Sequence, residues 1–283
     1  MDAELFRPFK LAFTILKKTG MWQDGKQSWS YFILGHLSIL AIIQVLWLLY
    51  LIFALKAQNV EDFVEASGYV ASQTAEMFKF WNFYFKLSRI ENSVETLARL
   101  IKFSADNRWK SRNGLKSWIA LELKIHKAFW FSAWITCLIG AFMPFLKHQL
   151  PFKAWFPFDT EHNEFGFWSA STFLIIVLFP MSAIDITLDM LPVIFLTFAI
   201  GLTDELSERL NEIGNVKNNE QISSQEKLEM EKELVKCIII HKKIKEFIKE
   251  INENFSTAIF LQGFISSTIL CASAYTTSKV KFV

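Results

Sequence analysis

What most constrains this chain is the length of its uncharged apolar runs. Residues 31–55 hold 25 positions without a formal charge, 128–146 hold 19, and 255–275 hold 21. In hydrocarbon each unpaired backbone group costs several kcal/mol, so a crossing segment must be a helix or part of a closed barrel. A barrel strand needs about 9–11 residues and a helix about 20, so these runs are helical. At about 1.5 Å per residue they match a hydrocarbon core roughly 30 Å thick. Apolar content of 52% is only slightly above the usual 45–50% or so. The distribution decides: apolar runs alternate with strongly charged stretches. The chain is read as an all-α integral membrane protein, a helical bundle.

Two further segments take more argument. Residues 63–85 are apolar apart from Glu65, Glu76 and Lys79. Charges inside a span face protein or water rather than lipid, and Glu76 and Lys79, three apart, are placed to pair on one helical face. The aromatic cluster Phe78, Phe80, Trp81, Phe83, Tyr84 and Phe85 then marks the inner interface. Residues 165–203 carry only Asp185 and Asp189 as charges. As continuous helix they would reach about 58 Å, roughly twice the hydrocarbon thickness. They form either one long helix projecting into the cytosol or two short spans.

Loop charge chooses between these. With five spans, at about 31–55, 63–85, 128–146, 165–203 and 255–275, alternate sides of the membrane hold 24 and 5 Lys and Arg residues, Lys79 lying within a span. The cation-rich side is cytosolic. Splitting 165–203 would carry nine cations to the wrong face, so one long helix is preferred. The expected organisation is a cytosolic N-terminal segment 1–30, a membrane domain 31–203, a cytosolic amphipathic helical segment 204–253, and the fifth span with its tail, 254–283. The N-terminus lies in the cytosol and the tail outside. Within 204–253, Leu234, Ile238, His241, Ile244, Ile248 and Ile251 recur at helical spacing. The sequon Asn254-Phe-Ser256 falls at the cytosolic end of the fifth span and is expected to be unglycosylated.

Signatures of catalysis are missing. The five histidines have no pair at metal-ligand spacing, and there is no Gly-rich phosphate loop or nucleophile elbow. No cofactor and no enzymatic activity are expected. The net charge of +2 gives no reason to expect a nucleic-acid partner. Three cysteines exclude a disulfide-rich secreted scaffold, and the first apolar run starts too late and runs too long for a cleavable signal peptide. Asp185 and Asp189, four apart, could carry cations or protons, but the simpler reading pairs them with another helix or places them at the cytosolic mouth. Binding and signalling are favoured over chemistry.

Three stretches resemble insect odorant receptors. Leu150-Pro-Phe-Lys-Ala-Trp-Phe-Pro-Phe-Asp159 looks like that family's Pro-rich loop. Thr187, Asp189 and Leu191, ahead of Leu206-Ser-Glu-Arg-Leu210, resemble its long fourth helix. The most specific is His241-Lys-Lys-Ile-Lys-Glu-Phe-Ile-Lys-Glu-Ile-Asn-Glu-Asn-Phe-Ser256, followed by Phe260, Gln262, Phe264, Ser266, Ser267 and Cys271. The resemblance implies an odorant-binding subunit of a ligand-gated, non-selective cation channel. It would be assembled as a hetero-tetramer with the olfactory co-receptor, in the plasma membrane of sensory-neuron dendrites. It also implies seven helices, the last lining the pore, so a chain with five is expected to be a fragment, a truncated gene model or a splice form.

A volatile ligand is small and apolar and calls for a mostly apolar cavity with few polar groups. The outer halves of spans two to four offer Tyr69, Val70, Gln73, Thr74, Met77, Ile139, Phe142, Met143, Thr172 and Ile176 as candidate walls, against the alternative that each merely packs against its neighbours. Residues 228–253 would pack against partner subunits or else lie on the membrane surface. Other architectures remain open. A gustatory receptor shares this plan. A G-protein-coupled receptor predicts an outside N-terminus, and a transporter predicts internal repeats.

Overall fold

In a computed structural model, residues 5–22, 29–104, 113–217 and 224–279 are described. They form six α-helices: α1 (Arg7–Lys18), α2 (Trp29–Lys56), α3 (Val60–Ser104), α4 (Asn113–Phe142), α5 (Glu164–Lys217) and α6 (Ser224–Lys279), with a 3-10 turn at Met143–Lys147. Four of them, α2, α4, α5 and α6, contain stretches long and apolar enough to cross a membrane. Among the described residues the fold is thus all-helical, with four candidate membrane helices. The first half of α3 is not among them, because Ser67, Ser72, Gln73, Thr74 and Asn82 lower its mean hydropathy along with Glu76 and Lys79.

Helices here are far longer than a bilayer requires. At 45, 54 and 56 residues, α3, α5 and α6 reach about 68, 81 and 84 Å. The charged stretch after Phe85 is therefore a continuation of α3, and 128–146 is the second half of α4 together with the 3-10 turn. Changes of side-chain polarity at 203 and 253 fall in mid-helix, because backbone hydrogen bonding continues regardless of what the side chains meet. The chain divides into two compact units, one of Met1–Leu11, Lys86–Lys127 and Met190–Ser256, the other of Ala12–Phe85, Ala128–Asp189 and Thr257–Val283.

In the first unit the core is aromatic and lies along α5. Leu191, Ile194, Phe195, Phe198, Ala199 and Leu202 are at most 2% exposed. Phe9 meets Phe195 at 4.8 Å and Phe198 at 5.4 Å, while Phe195 meets Phe247 and Phe255 of α6 at 6.1 and 5.9 Å. Hence the last third of the 165–203 apolar run is apolar because it is protein core. This explains why that run is too long for the lipid. At Gly201 an added Cβ would sit 2.7 Å from Leu115 Cδ1 and 3.1 Å from its Cα, so glycine permits the close approach of α4 and α5. The buried face of α6 is Cys237, Ile240, Ile244, Phe247, Ile251 and Phe255. This corrects the expected stripe: Leu234, Ile238 and Ile248 are 42%, 61% and 41% exposed, and His241 is exposed too. The consecutive Ile238, Ile239 and Ile240 present apolar surface on both faces, so periodicity could not choose one.

Polar contacts tie α3 to α6 in the same unit. Ser93 Oγ donates to Glu250 Oε1 at 2.7 Å, and Lys86 Nζ donates to the carbonyls of Glu253 and Asn254 at 2.8 and 3.0 Å. Asn254, 1% exposed, donates its amide N–H to Ser93 Oγ at 3.0 Å. The sequon's acceptor nitrogen is therefore buried and engaged.

In the second unit α1 ends in a left-handed Gly20 (φ +76°), with the Met21 and Trp22 N–H groups donating back to Leu16 O, the αL helix stop. Gly20 and Gly35 touch through backbone. A Cβ on Gly35 would lie 2.7 Å from both Gly20 Cα and Thr19 O. Asn59 caps α3, its Oδ1 accepting the Asp62 N–H at 2.7 Å, which satisfies one of the orphan donors of the first turn. The loop before α5 is organised by Asp159, which accepts the N–H groups of Glu161 and His162, and by Asn163, which caps α5 through Phe165 and Gly166. Gly166 is required because a Cβ there would collide with the Asp159 carbonyl oxygen.

Candidate functional site

Helical periodicity brings three faces together in the second unit. On α3, Tyr69, Ser72, Gln73 and Glu76 share one face; on α2, Leu46 and Tyr50 do, four apart. The spacing of Leu174, Val177, Leu178, Met181 and Ser182 does the same on α5. With Phe152 from the loop, these residues line a cavity of about 120 Å³. That is somewhat below the roughly 150 Å³ of an apolar cavity that holds benzene, which sets the scale of a guest at about one small ring.

One wall is aromatic. The Tyr69 ring stands 5.2 Å from Tyr50 and 5.8 Å from Phe152, with its hydroxyl donating to Glu65 at 3.1 Å. Phe152 is positioned by its neighbour Lys153, whose ammonium lies 2.7 Å from Asp62 and 2.8 Å from Glu65. That ammonium holds the Asp62 carboxyl below the usual carboxylate range, and the two carboxylates hold the Lys153 amine above its own. The loop is further held by Trp155, whose N–H donates to Leu49 O at 3.2 Å and whose ring lies under Lys56 at 4.5 Å. The opposite wall, from α5, is mainly aliphatic, with Met181 and the Ser182 hydroxyl beside Leu174, Val177 and Leu178. The polar side is α3, where Gln73 Nε2 donates to Glu76 Oε2 at 3.0 Å.

Of the ten residues expected to form a site, Tyr69 and Gln73 line this cavity. Thr74 instead joins helices: its hydroxyl accepts from Trp47 Nε1 at 3.1 Å and donates to Val70 O at 2.7 Å. Val70 and Met77 are half-buried and outside the lining, and Thr172 is exposed. Ile139, Phe142, Met143 and Ile176 are 53–66% exposed and point away from the bundle. Sequence reading missed Leu46, Tyr50, Phe152 and the α5 residues. The α5 row was visible as a periodic stripe, but α2 is apolar all round, so nothing marked which of its faces was inward.

Near the cavity wall, Lys79 does not pair with Glu76 as its spacing suggested. Its ammonium, 7% exposed, lies 2.5 Å from Asp185 and 2.9 Å from Asp189, and Gln262 Nε2 donates to the other Asp189 oxygen at 2.9 Å. Two carboxylates from another helix outcompete one that already accepts a hydrogen bond from Gln73. The aspartates are thus partnered, as their simpler reading had it, and the cluster ties α3, α5 and α6 together.

A model of the 7tm odorant receptor family matches residues 59–281. The chain belongs to the odorant receptor family. That membership decides among the receptor, transporter and enzyme readings: an odorant receptor is not an enzyme. Among solved structures, the insect olfactory receptor OR5 from Machilis hrabei is similar, with a TM-score of 0.70 and 15% identity over 97% of this chain and 72% of that one. The same receptor in complex with eugenol gives a TM-score of 0.71 at 15% identity over 97% and 71%. At that identity the likeness establishes a shared fold. No curated protein sequence matches the chain. In this odorant receptor the cavity is built by α2, α3, α5 and the loop.

Proposed function

We propose that this chain is the odorant-binding subunit of a ligand-gated, non-selective cation channel, assembled with the olfactory co-receptor as a hetero-tetramer in the plasma membrane of sensory-neuron dendrites. The observation that carries the reading is the cavity of about 120 Å³ with aromatic and aliphatic walls, in a chain of the odorant receptor family. The solved relative is named as a complex with eugenol, a small volatile of the kind such walls suit. Ligand binding opens a channel only to the extent that the open state binds it more tightly.

The topology proposed is five crossings with a cytosolic N-terminus. The first half of α3 is the additional crossing. Its charges support this, since Lys79 meets two aspartates and Glu76 meets Gln73, so none need face lipid. The 24-to-5 division of cations supports the orientation and the placement of 1–30 and 204–253 in the cytosol, with 31–203 and 254–283 as membrane segments and tail. On α6, Leu234, Val235 and Ile238 form an exposed apolar stripe, which favours contact with a partner subunit over a bare cytosolic surface.

Co-expression with the co-receptor in cells under voltage clamp tests this. Odorant-evoked cation current is expected from a version of the chain extended by two further helices, the last lining the pore, and Leu178→Trp, which fills the cavity, should abolish it while surface expression is unchanged. A G-protein response that needs no co-receptor would refute the channel assignment.

A further inference from the structure

A groove in the first unit carries more positive charge than its own carboxylates balance. On α3, Arg99 stands three and four residues from Lys102 and Phe103; on α6, Ile240 stands four and three from Lys236 and Lys243, so each set shares a helical face. With Arg209 of α5 and Glu233 of α6 they line a cavity of about 530 Å³. Arg209 and Ile240, 4% and 2% exposed, form its floor. Two of these cations are balanced locally, Arg209 by Glu205 at 3.0 Å and Lys236 by Glu233 at 3.2 Å. Arg99, Lys102 and Lys243 have no carboxylate in ion-pair reach among the described residues. Arg99 meets the Thr96 hydroxyl at 3.4 Å, and the Lys243 ammonium lies 4.0 Å from the centre of the Phe103 ring. Lys243 thus reaches from α6 toward α3, which holds its charge inside the groove. Glu246 and Glu250 face an adjoining hollow, and Glu250 accepts the Ser93 hydroxyl at 2.7 Å.

We propose that this groove binds a compact, multiply phosphorylated anion, either a free phosphate ester or the headgroup of a phosphorylated lipid. Three cations held close without a counter-charge repel one another, and a multivalent anion removes that repulsion while gaining charge-assisted hydrogen bonds. Arg99 offers a planar fork to two phosphate oxygens, and Lys102 and Lys243 offer point charges. Phe103, 41% exposed, gives the carbon skeleton of such a molecule an apolar face to rest on. On the proposed topology the groove opens to the cytosol.

Calorimetric titration of the full chain in phosphatidylcholine nanodiscs with inositol hexakisphosphate, and with myo-inositol as the uncharged control, tests the free source. Reconstitution with and without phosphatidylinositol bisphosphate, read as a shift in Tm, tests the lipid source. Binding of the hexakisphosphate but not of myo-inositol, or a rise in Tm with the phosphorylated lipid, is expected, and the arm that responds identifies the source. Combining Arg99→Gln, Lys102→Gln and Lys243→Gln should lower the affinity at least about tenfold, or remove the shift in Tm. Combining Lys242→Gln, Lys245→Gln and Lys249→Gln, which removes the same formal charge from α6 outside the groove, should leave both nearly unchanged. Equal loss from the two triple variants overturns the proposal by reducing it to diffuse attraction, and so does silence in both arms. In the unaltered protein the bound probe should slow chemical acetylation of Lys102 and Lys243 more than that of Lys242 and Lys245. Equal protection overturns the proposal without any variant.

Discussion

Replacing Lys79 with methionine keeps the length of the side chain and removes the only Lys or Arg in the five expected spans. Asp185 and Asp189, held 2.5 and 2.9 Å from the ammonium, would then face each other without a counter-charge. Removing one partner of a buried ion pair typically costs about 3–5 kcal/mol. Neutral hydrogen bonds in membrane proteins average only about 0.6 kcal/mol, because the unfolded chain in lipid finds other partners. No spare cation exists in these spans, so the ionic figure governs here. Side-chain exposures of 31% for Asp185 and 19% for Asp189 place the loss at the lower end, about 3 kcal/mol. At roughly 2–4 °C per kcal/mol for chains near this size, the Tm in nanodiscs should drop by about 6–12 °C. Combining Lys79→Met with Asp185→Asn and Asp189→Asn should recover most of it. The reasoning is refuted if the single variant melts with the unaltered protein, or if neutralising both aspartates restores nothing.

Phe9→Ala should destabilise the first unit by about 3–5 kcal/mol, since Phe9 is 2% exposed and abuts two α5 rings; chemical denaturation followed by fluorescence reads it. Gly35→Ala should cost about 1–3 kcal/mol, because its Cβ meets backbone 2.7 Å away on both Gly20 and Thr19, which thermal melting would detect. The Lys153 clamp should be insensitive to pH across the neutral range. The depressed Asp62 carboxyl stabilises the loop above its unfolded pKa and loses that contribution as pH falls through the folded value. The raised Lys153 amine contributes fully below its unfolded pKa and loses it as pH rises through its folded one. Hydrogen-exchange protection factors across 150–158, taken relative to intrinsic exchange at each pH, should therefore fall only in acid below about pH 4 or in strong alkali. Because both partners are partly exposed, the effect should stay below about 1 kcal/mol. Lys153→Ala should lower the odorant-evoked current read under voltage clamp a few-fold by releasing Phe152.

Several features were legible before any coordinates. The helices at 31–55, 128–146 and 255–275 follow from uncharged length alone, and the family follows from the loop at 150–159 and the segment 241–271. Of the ten candidate wall residues, Tyr69 and Gln73 line the cavity. For the exposed ones the difficulty is physical. Ile139, Phe142, Met143 and Ile176 are as apolar as any wall residue, and in a membrane chain apolarity marks lipid-facing and inward-facing positions alike.

Sequence alone determined that this chain is helical and membrane-embedded, because the backbone in hydrocarbon has no other way to satisfy its hydrogen bonds over runs of that length. Its charge pattern also favoured one long helix over 165–203, and α5 is continuous from Glu164 to Lys217. Tertiary structure alone decided which face of each helix turns inward. It buried the end of that run under Phe9 and Phe247, sent Lys79 to Asp185 and Asp189 rather than to Glu76, and enclosed a cavity behind Tyr50 and Phe152. Those outcomes depend on which helices meet, and in an apolar solvent the side chains carry no mark of it.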